Sequence, residues 1–185
     1  MNKTINYGFI TAILLILAAA TSRVVMYPHN FSPIIGMAVF SGAVIKDRRL
    51  SFALPIVSMF LSDLMFEVFN IAPGFWGWGQ LVGYGILALI TVFAFNLKKI
   101  SVLNIAGFSI ASSVIFFVLS NLSFFLIDNP VYHTYTQDAS GFVDCYVKAL
   151  PFFRTSLVAD LVYSGALFGA YYLVNNFVAR KQAVA

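Results

Sequence analysis

Apolar positions in this chain fall into long runs broken by short polar connections. The runs are Ile5 to Val25, Phe31 to Ile45, Ser51 to Ile71, Trp76 to Phe95, Ser101 to Ile127 and Phe153 to Val178. A helix rises about 1.5 Å per residue, so about 20 apolar residues cross a hydrocarbon core about 30 Å thick. The pattern predicts an all-α membrane protein, with about six transmembrane helices in one bundle and a single polytopic domain over residues 1–185. The second run has 15 residues, which predicts a short, tilted or partly re-entrant helix. Pro28 and Pro33 bracket its start, Pro73 and Gly74 mark the turn after the third run, and Pro55 lies early in the third helix, where its missing donor does least harm. Lys3 and the small residues Ala18, Ala19 and Ala20 give the first run the outline of a signal peptide. Five further spans follow it, and it is read as an uncleaved helix.

The third run breaks the pattern. Asp63 and Glu67 lie four residues apart, one helical turn, and share a helix face. A charge at membrane depth costs about 2.5 to 3.5 kcal/mol on insertion scales, so it persists where it finds a partner, water or a ligand. Counting rise from Ser51 places Asp63 roughly 18 Å and Glu67 roughly 24 Å along this helix. Asp160 lies at a similar depth in the last run, seven residues after Phe153. Arg23 ends the first run, Asn30 precedes the second, Asn121 is near the end of the fifth and Arg154 starts the last. Arg23, Asn30, Asp63, Glu67, Asn121, Arg154 and Asp160 are therefore the candidate ligand-binding residues, gathered in one half of the membrane. The competing reading makes Arg23–Asp63 and Arg154–Asp160 ion pairs that only set helix register.

Composition agrees with the pattern. The chain is 61% hydrophobic and 10% charged, with a mean hydropathy of +0.89, whereas a soluble domain carries about 25% charged residues. The net charge of +4 does not describe a nucleic-acid stripe, because the basic residues sit between apolar runs. With six spans, Lys3, Lys46, Arg48, Arg49, Lys98, Lys99, Arg180 and Lys181 share one side, eight of the eleven basic residues. The positive-inside rule makes that side cytoplasmic and puts both termini there. The connection over 128–151 then lies outside. Its length fits a lid over an outward-facing cavity or an ordinary surface loop.

Several chemistries drop out. Cys145 is the only cysteine, so it forms no intrachain disulfide and reads as a small buried apolar group. His29 and His133 are the only histidines, and no metal, nucleotide or G-x-S-x-G signature is present. No enzyme activity, cofactor or metal is expected. Small residues four apart, Gly8 with Ala12, Ala38 with Gly42 and Gly79 with Gly83, suit close helix packing. Gly8 and Ala12 suit either another membrane subunit or packing within the chain. Trp76, Trp78 and Phe75 fit an interfacial aromatic belt.

The stretch Arg23 to Gly42, RVVMYPHNFSPIIGMAVFSG, resembles the R-x-x-P-H-P-x-N-F-x-P-x-x-A motif of a family of small bacterial membrane proteins. LSD at Leu61 to Asp63, FFVLSN at Phe116 to Asn121, and GFVDCYVKALPFFRTSLVAD at Gly141 to Asp160 resemble its other motifs. That family in turn resembles the substrate-binding S components of energy-coupling factor (ECF) transporters. Tyr27, Pro28, His29 and Asn30 stand where the family usually has two prolines around its Pro-His pair. Ala159 replaces a glycine and Arg154 an asparagine, while Gly8 and Ala12 match the S-component docking alanines only loosely. The resemblance implies an S-component-like receptor in a bacterial inner membrane that binds a small polar solute, a vitamin or cofactor precursor, for micronutrient uptake. Its implied partners are a transmembrane coupling subunit and cytoplasmic ATPases. A structural or assembly subunit and a stand-alone proton-coupled carrier are the rival functions.

Overall fold

Each apolar run becomes a helix, and the short polar connections become the turns. The computed structural model describes residues 7–25, 30–75 and 77–184, the side chains of residues 179 and 181–184 apart. Expectations resting on Lys3, Ile5, Tyr27, Pro28, His29, Trp76 and Lys181 lie outside the described residues or side chains. The helices are α1 (Tyr7–Val25), α2 (Ile34–Val44), α3 (Arg48–Val68), α4 (Trp78–Ala94), α5 (Val102–Ser123), α6 (Asn129–Tyr132) and α7 (Ala139–Val184), with no strand among the described residues. A π-helical turn, Phe124–Asp128, joins α5 to α6.

Four helical runs are long and apolar enough to cross a bilayer: Tyr7–Val25, Arg48–Val68, Val102–Tyr132 and Ala139–Val178. The other two of the six expected helices are shorter: α2, expected to be short, has 11 residues and α4 has 17. The reason for the brevity of α2 is its position. It packs against α1, α3, α4, α5 and α7, and eight of its residues are buried. At a rise of about 1.5 Å per residue it is roughly 16 Å long, about half the hydrocarbon thickness. Irregular backbone at membrane depth is tolerated where protein surrounds it, which permits the non-helical lead at Asn30 to Ser32.

Small residues let α2 and α4 approach closely. A Cβ on Gly42 would strike the Thr91 carbonyl and the Ala94 side chain, so the Ala38–Gly42 pair works within the chain. Ala12 is also fully buried in the bundle. Further along α2, Phe40 meets Phe168 and Tyr171 edge-on, at centroid distances of 5.2 and 5.6 Å. Helix α2 also repairs α3: Pro55 cannot donate to the Ser51 carbonyl, and the Ser41 hydroxyl donates to that oxygen at 2.8 Å instead.

The long connection expected over 128–151 is corrected. Helix α7 begins at Ala139, and only residues 133–138 lie between helices. Phe142, Cys145, Tyr146 and Ala149 recur at helical spacing, and the first three bind α5 and its extension. Phe142 meets Phe125, Tyr146 meets Phe117 and donates to the Val118 carbonyl, and Cys145 is buried beside the Asn121 carbonyl. Asp144 and Lys148, two of the charged residues in this stretch, pair at 3.6 Å on the exposed face. Asn129 closes the turn, accepting from the Tyr135 amide and donating to its carbonyl. At 46 residues, α7 is roughly 69 Å long and outruns the bilayer core.

Candidate functional site

Lys46, Arg48 and Arg49 follow α2, and Lys98 and Lys99 follow α4, which makes one end of the bundle basic. The buried ionisable groups lie toward the opposite end. Arg23, in the last turn of α1, is 9% exposed and points at Asp63 of α3, which is 0% exposed. Its Nη1 donates to Asp63 Oδ1 and to Ser62 Oγ, and the guanidinium sits 4.7 Å from the Phe66 ring centroid. The other carboxylate oxygen, Oδ2, accepts from Gln80 Nε2 at 2.9 Å and from the Tyr84 hydroxyl at 3.0 Å, both on α4. Both oxygens of Asp63 are thus occupied by donors from two neighbouring helices, α1 and α4. An ion pair so fully hydrogen-bonded can persist away from water.

Glu67 does different work. It is exposed, and its Oε2 accepts from the Gly74 amide at 2.9 Å, while Gln80 Nε2 donates to the Gly74 carbonyl at 3.0 Å. The α3–α4 turn is therefore tied down from both sides. Any Cβ on Gly74 would collide with the Asp63 carbonyl, so glycine is required there by space.

Asp160 of α7 is 2% exposed, and its environment differs from that of Asp63. Its Oδ2 is 2.6 Å from the Ser113 hydroxyl of α5. Ser109, one turn earlier, meets the Asp160 carbonyl at 3.0 Å and the Ser164 hydroxyl at 2.8 Å. Among the described residues no ion pair reaches Asp160, and its Oδ1 has no protein donor. The Arg154–Asp160 pair of the competing reading is not formed: Arg154 is exposed, and no ion pair among the described residues includes it.

Asp160 lines a cavity of about 260 Å³ with Arg23, Asn30, Ser32 and Ser156, between the aromatic walls Phe31, Phe66 and Phe116. The floor is the N-terminus of α2, where Pro33 supplies no side-chain cap, and Ile34 and Ile35 face the space. Ser32 Oγ is buried and has no hydrogen-bond partner. Asn30 has a left-handed backbone, φ 60°, and its carbonyl accepts from Ser156 Oγ at 3.2 Å. A second lobe of about 290 Å³ adjoins the first and shares Asn30, Ile35, Phe116 and Ser156 with it. Ser113, Ser120 and Asn121 line this lobe, with the Asn121 amide donating to the Phe117 carbonyl at 2.8 Å.

Of the seven residues picked from the sequence, Arg23, Asn30, Asn121 and Asp160 line the two lobes and Asp63 stands behind Arg23. Glu67 and Arg154 do not line either lobe. Gln80, Tyr84 and Ser113, partners of the two acids, and Ser62, which accepts from Arg23, were missed. A signal existed for some of them: Ser109, Ser112 and Ser113 fall on one face of α5, and Gln80 is an amide among apolar residues. No group of three or more metal-ligating side chains occurs among the described residues.

A sequence profile described as "Family of unknown function (DUF6580)" matches residues 3–183 of the chain. No curated protein and no solved structure matches it.

Proposed function

The chain belongs to this family of unknown function, and from that starting point we propose that it is a solute-binding membrane protein that takes a small polar ligand into the two-lobed cavity. One observation carries the reading. A carboxylate 2% exposed, with one oxygen that no described residue claims, faces a 260 Å³ space also lined by Arg23, Asn30, Ser32 and Ser156. Ion pairs that only set register leave no such oxygen over, and intramembrane ionisable groups mark ligand or ion pathways. The cavity opens toward the end opposite the basic one, so with both termini cytoplasmic the ligand arrives from outside. An S-component-like role in micronutrient uptake, with a coupling subunit and cytoplasmic ATPases, extends the proposal on the strength of the motif resemblance, the chain length and the cavity position. Burial of Ala12 leaves the coupling contact to exposed positions of α1 such as Ile10, Leu14 and Leu17.

A second reading has its own observation. Asp63 is wholly committed to Arg23, Gln80 and Tyr84, which is how an ion-pair lock in an assembly subunit would look. The two readings separate in a thermal-shift screen of the purified protein against water-soluble vitamins and their precursors. A receptor gives at least one stabilising compound, whose effect disappears in Phe116→Trp, a variant that fills the shared wall of both lobes. A folded protein stabilised by none of them, and carrying no bound metabolite through purification, leaves the lock as the better account.

A further inference from the structure

We propose that the ligand carries a cationic nitrogen that binds Asp160 Oδ1, with an uncharged acceptor group directed at Arg23. This rests on the reading of the cavity as a binding site and adds the class of molecule it takes. The argument is one of charge balance within the lobe. Arg23 is neutralised from behind by Asp63, whose carboxylate also receives Gln80 and Tyr84 and does not reach the cavity. Among the described residues Asp160 has only a hydroxyl, that of Ser113, and no cation. With Asp160 ionised, Arg23, Asp63 and Asp160 together leave one negative charge, located at Asp160.

The walls agree with that sign. Phe31, Phe66 and Phe116 present aromatic surface to the same space, and ring faces attract cations. Arg23 uses Nη1 on Asp63 and Ser62, so its other N–H groups can meet a carbonyl, hydroxyl or ring nitrogen of the ligand. Ser32 Oγ, buried and unpartnered, is a further donor or acceptor at the mouth of α2. An anionic ligand would meet Asp160 with no counter-charge. The lobe that holds Asp160 is about 260 Å³ and its neighbour about 290 Å³, together within the roughly 300–1,000 Å³ of small-molecule sites, which sets a small molecule as the occupant.

Three probes of nearly one shape and different charge test this: benzylammonium, benzyl alcohol and benzoate, titrated calorimetrically into the full-length protein in lipid nanodiscs. Benzylammonium is expected to bind at least tenfold more tightly than the other two, and Asp160→Asn is expected to remove that preference while the protein still elutes as a single species. If Asp160→Asn does not fold, the order of the three probes on the unmodified protein decides alone. Benzyl alcohol or benzoate binding as tightly as the amine, and lost in Phe116→Trp, overturns the cationic assignment but leaves the binding site standing. Failure of all three to bind overturns both.

Discussion

Asp63 and Asp160 are the same residue type at similar depth, and their neighbours give them different tasks. Asp63 receives a guanidinium, an amide and a phenol, while Asp160 receives one hydroxyl. Removing one member of a buried pair leaves the other charge stranded, at a cost of about 3–5 kcal/mol, whereas replacing both by apolar groups is often close to neutral. Asp63→Ala is therefore expected to lower the unfolding midpoint sharply, and Arg23→Leu with Asp63→Leu is expected to recover most of the loss. Denaturation of both variants in one detergent checks this, and a double variant as unstable as Asp63→Ala would count against the pairing. Depth was legible in the sequence for both acids, because rise per residue is constant. The choice of partner was not, since it depends on which way each side chain faces around its helix axis.

Helix α3 shows how one element relies on another. Proline leaves the Ser51 carbonyl without its usual donor, and a hydroxyl from α2 fills the gap. Ser41→Ala should cost about 1–3 kcal/mol by leaving that buried oxygen unsatisfied, and the cost should shrink when Pro55→Ala restores the backbone donor. A double-mutant cycle on the melting midpoint measures the coupling, and strict additivity would refute the link. Helix α7 starts on a cap of another kind: Asp138 Oδ1 accepts from the Gly141 amide at 2.8 Å and from the Thr136 hydroxyl at 2.9 Å. These bonds hold the Asp138 carboxyl below its ordinary value of 3.8, the Gly141 amide contributing most. A depressed folded-state value means the cap is fully formed above 3.8 and is lost as pH falls through the folded value. The Gly141 amide resonance is expected to titrate with a midpoint below 3.8 and to stop titrating in Asp138→Asn. The expected loop over 128–151 went astray at this scale, because Asp144 and Lys148 are polar yet lie on one exposed helical face while Phe142, Cys145 and Tyr146 bind α5.

Across the whole molecule, basic groups mark one end and the binding lobes lie toward the other. Cysteine labelling tests the proposed orientation in a Cys145→Ser background. Lys99→Cys should react with a membrane-impermeant maleimide only after the cells are opened, and Asp128→Cys should react in intact cells. The reverse pattern would place the cavity on the cytoplasmic side and remove uptake from outside as its role. The central position of α2 also belongs to this scale. A short helix walled by five others leaves space beyond its N-terminus, and that space is the lobe lined by Arg23 and Asp160.

The apolar runs alone determined that the chain is helical and built for a bilayer, because about 20 apolar residues without a water-compatible surface have few other stable forms. They also determined that its buried charges share a depth, which needs only counting along each helix. Tertiary structure decided the azimuth: which acid is closed off by partners, which keeps an oxygen that no described residue claims, that Glu67 ties down a turn and that Arg154 stays exposed. Those outcomes depend on side chains from helices far apart in the chain, such as Arg23 with Asp63 and Ser113 with Asp160, meeting across the bundle. Periodicity within one helix carries no record of its neighbour's rotation.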